Sequence, residues 1–156
     1  MSRRPPPEVF LSFRGPDTRR HFVKFLLHML TRAGIDVFID DKDLPKGKII
    51  NNELIAAISG SRISIAVISE DYASSKSCLM ELKHMFECKD SGSDLSIIPI
   101  FYYVDPSDVR HCKGTFKRSL RGHNSGVNAT VIRSWKSALG RIGKKKGYHL
   151  HENNEG

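Results

Sequence analysis

Short apolar runs alternate with amphipathic helical patterns along this chain, and that alternation is the feature that most constrains its fold. Strands separated by helices pair in parallel, because each helix carries the chain back over the sheet in a right-handed crossover. The apolar runs predict strands at residues 9–13, 35–39, 62–69 and 97–104, and a short edge strand at 148–150. The sequence therefore predicts an α/β protein, a flavodoxin-like three-layer sandwich of four to five parallel strands in the order 2-1-3-4-5, flanked by helices.

The helical segments repeat apolar residues at spacings of three and four, which places those residues on one helix face. This pattern predicts helices at residues 21–33, 49–59, 78–86, 113–121 and 127–142, and a turn-like segment from Asp105. Gly34 is placed to cap the carboxyl end of the first helix. The face of that helix expected to pack on the sheet consists of Phe22, Phe25, Leu26, Met29 and Leu30.

A chain of 156 residues fits one domain with a sizeable core. We expect the domain at residues 8–150, after a flexible segment at 1–7 and before the start of a linker or tail at 151–156. The sequence has neither a signal-peptide pattern nor an apolar run near the roughly 20 residues that span a bilayer. We therefore expect a cytoplasmic protein, or alternatively a nuclear one, without a membrane span.

The cysteine spacing and the net charge of the chain limit the classes of ligand that it is expected to bind. The three cysteines form no pair at a metal-ligand spacing, so we expect neither disulfides nor a bound metal. The net charge of +8 is concentrated in the last third of the chain. Such a basic surface attracts polyanions such as DNA or RNA, and it is equally typical of a solvated face. Both interpretations stay open.

The first predicted strand ends in an arginine and a turn that can open a helix. Arg14 would project from the carboxyl end of the strand, and Gly15 would let the backbone approach a ligand closely. Asp17 and Thr18 can each cap the first N–H groups of the helix. Because ligands of open α/β sheets bind at the carboxyl ends of the strands, the sequence predicts a binding crevice at this edge.

Four ordered motifs carry a family resemblance. They read Val-Phe-Leu-Ser-Phe-Arg-Gly-Pro-Asp-Thr-Arg from residue 9, Val-Phe-Ile-Asp-Asp from residue 37, Cys-Leu-Met-Glu-Leu from residue 78 and Pro-Ile-Phe-Tyr-Tyr-Val-Asp-Pro-Ser-Asp-Val-Arg from residue 99. Together they closely resemble the TIR (Toll/interleukin-1 receptor) domains of plant immune receptors, over about residues 8 to 150. The resemblance implies the same flavodoxin-like fold that the periodicity predicts.

The resemblance also implies an activity, since such domains cleave NAD+ between nicotinamide and ribose when they self-associate. The products would be ADP-ribose or cyclic ADP-ribose-type nucleotides that trigger cell-death signalling. NAD+ is then a substrate, and no cofactor is expected. A carboxylate beside the anomeric carbon stabilises the oxocarbenium-like transition state of this cleavage. The match assigns that carboxylate to Glu81 and the substrate-binding positions to Arg14, Gly15, Ser75 and Ser77.

The chain departs from the family pattern at Ser77, where a tryptophan is usual. Loss of that aromatic wall would remove apolar contact worth roughly 1–3 kcal/mol, up to about two orders of magnitude in transition-state binding. We therefore expect weak or conditional turnover. Alternatively, Phe86 or a loop of a partner fills the gap.

By resemblance, residues 40–50 form the BB loop, which contacts a neighbouring protomer and helps to close the site. This loop includes Asp41, Lys42, Pro45 and Gly47. An exposed crossover loop without such a role is the alternative.

The family self-associates through two surfaces, so homotypic contacts in a dimer or tetramer are expected on activation. One surface lies on the first helix, where Lys24 and Phe25 replace the usual Ser-His pair and like charges would face each other across a two-fold axis. The other surface lies around the last helices and includes Lys146, Gly147 and Tyr148.

Two other functions stay open. A non-enzymatic scaffold that acts only through TIR to TIR contacts is favoured by Ser77 and by the Lys24-Phe25 pair. A nucleic-acid-dependent 2′,3′-cyclic nucleotide synthetase would, by resemblance, use Cys78 together with the basic last third. A cysteine in such a helix is more often a buried core residue.

Overall fold

The computed structural model describes residues 7–15, 19–39 and 52–150 of the chain. Within these ranges the strands are β1 (Val9–Ser12), β2 (Val37–Ile39), β3 (Ile63–Ile68), β4 (Ser96–Tyr102) and β5 (Tyr148–Leu150). All pairings are parallel, and the five strands form one sheet in the order β2-β1-β3-β4-β5. The predicted fold class and strand order are confirmed.

Six α-helices connect the strands in the described ranges: α1 (Lys24–Arg32), α2 (Asn52–Gly60), α3 (Lys76–Asp90), α4 (Pro106–Arg110), α5 (Thr115–Gly122) and α6 (Ala129–Lys144). A π-helical turn (Arg19–Val23) precedes α1, and a 3₁₀ turn (Tyr72–Ser74) precedes α3. Element ends differ by a few residues from those predicted.

The strand order decides which side of the sheet each helix covers. The crossover from β1 to β2 runs in one direction along the sheet, whereas the later crossovers all run in the opposite direction. Since crossovers are right-handed, α1 lies on one side and the later helices lie on the other. Helix α3 packs between α2 and α6 on that second side.

Two buried apolar clusters follow from this division, because neighbouring residues of a strand point to opposite sides of the sheet. Phe10 belongs to the larger cluster, which contains the buried apolar residues of α2, α3 and α6, including Leu82 and Trp135. Val9 and Leu11 belong to a smaller cluster beside α1. Ser12 continues the Phe10 side, so the end of β1 presents a hydroxyl to the region of α3.

Helix α1 corrects one expectation. Phe25 and Met29 do not pack on the sheet, because 63% of Phe25 and 49% of Met29 are exposed. Phe22 and Leu26 do pack against the smaller cluster, and no residue of α1 is fully buried. The helix is therefore rotated so that part of its apolar face points away from the protein.

The segment after β4 also differs from the prediction. Tyr103 has a φ of 55°, a left-handed conformation that cannot continue a strand, so β4 ends at Tyr102 rather than at residue 104. Asp105 then caps α4, since its carboxylate accepts a hydrogen bond of 2.8 Å from the backbone N–H of Ser107. Pro106 suits the first turn of that helix, where a turn-like segment was predicted.

Candidate active site

Glu81 lies in the second turn of α3, at the carboxyl edge of the sheet, and only 4% of it is exposed. The helix begins here because Ser75 caps it: the Ser75 hydroxyl accepts a hydrogen bond of 3.1 Å from the backbone N–H of Cys78. A buried glutamate is uncommon unless its oxygens are hydrogen-bonded.

Two serines from different elements hold the Glu81 carboxylate. The Ser12 hydroxyl, at the end of β1, donates to Oε1 at 2.8 Å. The Ser77 hydroxyl, one helical turn before Glu81, donates to Oε2 at 3.1 Å. Ser12 is 1% exposed, whereas Ser77 is partly exposed, so the Oε2 side of the carboxylate is the side nearer to solvent.

A buried tyrosine, Tyr72, contacts Ser12. The Tyr72 hydroxyl has two acceptors for its one proton, the Ser12 hydroxyl at 2.7 Å and, farther away, the backbone carbonyl of Cys78 at 3.2 Å. Burial raises the pKa of Tyr72 well above its ordinary value of 10.0, and the nearby Cys78 and Glu81 raise it further. Tyr72 therefore stays protonated and remains a hydrogen-bond donor at neutral pH.

His123 fixes the 3₁₀ turn that carries Tyr72. Its Nε2 donates a hydrogen bond of 3.0 Å to the backbone carbonyl of Ala73, and its ring lies edge-on to Trp135 with centroids 5.5 Å apart. His123 is 9% exposed, so the contact is shielded from water. The turn is thus held by His123 as well as by its contacts with α3.

The structure brings the predicted catalytic and substrate-binding residues to one edge of the sheet. Ser75, Ser77, Cys78 and Glu81 share the first two turns of α3, and Ser12 reaches them from β1. Cys78 is 4% exposed and belongs to the larger core cluster. Arg14 and Gly15, the other predicted binding residues, are partly exposed and follow directly after β1 at the same edge.

Sequence reasoning missed Ser12, Tyr72 and His123. Ser12 lies within the first quoted motif and shares the inward side of β1 with Phe10, which is the signal that could have found it. Tyr72 is an aromatic residue in an otherwise polar segment, which is the signal that could have found it. His123 carries no local signal, since its partner Ala73 is 50 positions away.

The gap left by the usual tryptophan is not filled by Phe86. That ring is 4% exposed, belongs to the larger core cluster and lies under the guanidinium of Arg141, 4.4 Å from its carbon. Arg141 in turn binds Asp90, at the far end of α3 from Glu81. Phe86 therefore packs at the opposite end of the helix.

The predicted self-association residues differ in exposure. Lys24 and Phe25 are exposed on α1, beside a shallow groove on the same helix. Lys146 is exposed, and Tyr148 is 69% exposed. Gly147 has a structural role in the sheet: a Cβ at this position would collide with the carbonyl of Pro99, so only glycine lets the chain at the start of β5 approach β4 closely.

Three further predictions concern the BB loop, metal binding and a membrane span. The predicted BB-loop residues Asp41, Lys42, Pro45 and Gly47 lie outside the described residues. Within the described ranges, no cluster of histidine, cysteine or acidic side chains is arranged to bind a metal ion. Of the helices in the same ranges, none is both long and apolar enough to cross a membrane.

Comparison with known proteins agrees with this geometry. The TIR domain family model matches residues 8–155. The chain is 44% identical over 144 residues to Disease resistance protein RPV1 of Vitis rotundifolia, a match that covers 92% of this chain and 10% of that protein. It is 44% identical over 142 residues to TMV resistance protein N of Nicotiana glutinosa, which covers 90% of this chain and 12% of that protein. The chain thus spans about a tenth of the length of these two relatives.

A solved structure shares the fold at similar identity. The TIR domains in the structure of the activated Roq1 resistosome, which directly recognizes the pathogen effector XopQ, superpose with a TM-score of 0.85 at 39% identity. The match covers 96% of this chain and 91% of the Roq1 chain.

Proposed function

The chain belongs to the TIR domain family, and from that premise we propose that it is an NAD+ glycohydrolase of plant immune signalling, with Glu81 as the catalytic carboxylate. The relatives' names as disease resistance proteins support the immune role, and the Roq1 resistosome supports action in an assembly of TIR domains. We place the activity in the cytoplasm or nucleus.

The observation that carries this proposal is a buried carboxylate whose two oxygens each accept a hydrogen bond from a serine hydroxyl. Glu81 is 4% exposed, and hydroxyls of Ser12 and Ser77 bind its two oxygens. Cleavage of the nicotinamide bond develops positive charge on the ribose carbon, while nicotinamide leaves as a neutral molecule. A carboxylate held in place with little water around it stabilises that charge more strongly than a solvated one would.

Approach to Glu81 would occur from the Ser77 side. Ser77 is the less buried of the two serine donors, and it sits on the first turn of α3. We propose that ribose hydroxyls of NAD+ replace its hydrogen bond to Oε2, while Ser12 keeps Oε1 in place. Arg14 and Gly15, at the same sheet edge, would contact the phosphates or the second ribose.

The test is nicotinamide release from NAD+ by the purified chain over a range of protein concentrations. We expect Glu81→Gln, which keeps the shape of the side chain, to lower release by about 100-fold or more. Glu87→Gln is the matched control, because this glutamate lies on the same helix with 59% of its side chain exposed. It should leave release unchanged.

Equal release by wild type and Glu81→Gln would overturn the assignment of Glu81. No release from the wild type at any concentration would favour the second candidate function, a scaffold that signals through contacts between TIR domains. The exposure of Phe25 and Met29 on α1 favours that alternative, since exposed apolar side chains one turn apart are typical of an interaction surface. The burial of Cys78 gives no support to the nucleotide synthetase.

A further inference from the structure

We propose that Tyr72 and Ser12 are positioning residues for Glu81, which together hold one oxygen of its carboxylate inward and leave the other oxygen for the substrate. The inference rests on the proposed function, in which Glu81 acts on NAD+. It assigns a role to a buried titratable side chain, Tyr72, that the reaction itself does not use.

The direction of each hydrogen bond follows from the number of available protons. An ionised carboxylate only accepts, so the single hydroxyl proton of Ser12 is directed to Glu81 Oε1 at 2.8 Å. The Ser12 oxygen then accepts from Tyr72, because the Tyr72 hydroxyl lies 2.7 Å away and its other acceptor, the Cys78 carbonyl, is more distant at 3.2 Å. Because the raised pKa of Tyr72 keeps it protonated, the chain runs from Tyr72 through Ser12 to Glu81.

The chain is anchored at its far end by groups outside α3. Tyr72 is fully buried, and its turn is bound to His123 through the Ala73 carbonyl at 3.0 Å. Ser12 is fixed by the pairing of β1 with β3, where it lies opposite Ala66. The position of the inner oxygen of Glu81 is thus set by contacts with the sheet and with the turn before α3, and not by the rotamer of Glu81 alone.

The outer oxygen of Glu81, Oε2, accepts from a donor on α3 itself. Its described donor, Ser77, lies four residues earlier on the same helix, is partly exposed and makes the longer contact of 3.1 Å. A substrate can displace such a donor without disturbing the inner contact. Two positioned donors of unequal burial therefore leave Glu81 oriented before substrate binds, which lowers the cost of reaching the transition state.

The experiment compares steady-state nicotinamide release by wild type, Tyr72→Phe and Ser12→Ala. Each change removes one hydroxyl and keeps the rest of the side chain nearly unaltered. We expect each variant to lower kcat by about tenfold with little change in KM, because misorientation of a catalytic group acts on the transition state. The double variant should be no slower than Ser12→Ala, since both residues act through one chain.

Ser64→Ala is the matched control. Its hydroxyl is fully buried on β3 and has no hydrogen-bond partner in the described structure, so its removal should leave kcat unchanged. Urea unfolding of all variants separates catalysis from stability. If Tyr72→Phe keeps the wild-type kcat while Glu81→Gln abolishes release, the positioning role is wrong and the proposed function stands.

A second measurement, which does not require enzyme activity, tests the hydrogen-bond chain even if the wild type releases no nicotinamide. The carboxyl ¹³C chemical shift of Glu81, assigned by its loss in Glu81→Gln, reports the hydrogen bonds that the carboxylate accepts. We expect Tyr72→Phe to move this resonance and Ser64→Ala to leave it in place. If the wild type releases no nicotinamide but the resonance moves, the proposed function fails and the hydrogen-bond chain stands. An unmoved resonance in Tyr72→Phe would overturn the chain itself.

Discussion

The two ends of helix α3 each carry an acidic side chain that accepts hydrogen bonds at both oxygens, and they do so in opposite environments. Near the start of the helix, Glu81 is 4% exposed and is bound by the hydroxyls of Ser12 and Ser77. At the last residue, the Asp90 side chain is 61% exposed, and both of its oxygens are bound by Arg141 at 2.9 Å.

The difference shows what each acid is suited to do. The guanidinium of Arg141 neutralises Asp90 in a bidentate pair that joins α3 to α6, and such exposed pairs contribute little beyond orientation. The hydroxyls of Ser12 and Ser77 orient Glu81, and burial keeps its charge from being dispersed by water. The two acids therefore differ in burial and in the donors of these contacts, and the proposed function assigns the reaction to the buried acid.

Among the substitutions that test this comparison, Ser77→Trp, at the end of α3 that carries Glu81, should have the largest effect on kcat/KM. The substitution replaces the donor on the solvent side of Glu81 with the aromatic side chain usual in the family. If that ring packs on the bound ribose or nicotinamide, kcat/KM for NAD+ should rise by up to about 100-fold. Steady-state nicotinamide release measures it, with Ser77→Ala as the control for loss of the hydroxyl alone. A fall in kcat/KM below that of Ser77→Ala would show that this chain does not use an aromatic wall.

The two cysteines of α3 also test the comparison between the ends of the helix, with an expected effect of intermediate size. Cys78, near Glu81, is 4% exposed, whereas Cys88 is partly exposed, with its sulphur 3.5 Å from His84 Nε2. Iodoacetamide should therefore alkylate Cys88 at least about tenfold faster than Cys78, as followed by peptide mass spectrometry.

Cys112 provides an internal reference for this experiment, because burial raises the pKa of its thiol and should slow its reaction relative to Cys88. Reaction of Cys78 as fast as Cys88 would mean that the first turn of α3 opens readily. That result would contradict the view of Glu81 as a fixed group.

Asp90→Asn should have the smallest effect, a slight loss of stability at neutral pH and no change in nicotinamide release. Hydrogen bonds from Arg141 hold the pKa of Asp90 below its ordinary value of 3.8. Since the folded pKa is the lower one, the contribution is present above pH 3.8 and is lost as the pH falls through the folded value.

Urea unfolding of wild type and Asp90→Asn, near neutral pH and then in acid, measures this contribution. The difference between the two midpoints should shrink in acid, and also at high salt, because the pair is exposed. A difference that grows in acid would contradict the assignment to Asp90.

The sheet and its strand order were predictable from sequence because both depend on local patterns. Short apolar runs and helical spacing are visible residue by residue, and the handedness of crossovers converts them into the order 2-1-3-4-5. Glu81 and the first turns of α3 were also predictable, because the motif around Cys78 is contiguous. Phe25 and Met29 were placed wrongly, since spacing predicts a helix face but not how far the helix is rotated on the sheet.

The support around Glu81 was not predictable, because it depends on contacts between distant parts of the chain. Ser12 and Tyr72 are ordinary polar residues until the sheet places the end of β1 beside the start of α3. The left-handed conformation of Tyr103, which ends β4 early, also has no sequence signal, since tyrosine rarely adopts it.

The same long-range contacts govern when the site comes into existence during synthesis. Ser12 and Glu81 are 69 positions apart, and Ala73 and His123 are 50 positions apart. The β1 end leaves the ribosome first, so a nascent chain lacks Glu81 until about half of the domain has been made and lacks His123 until most of it has been made. Contacts of such separation form late in folding, because the loop-closure entropy must be overcome before they contribute. Under the proposed function, partly made chains would therefore lack activity towards NAD+.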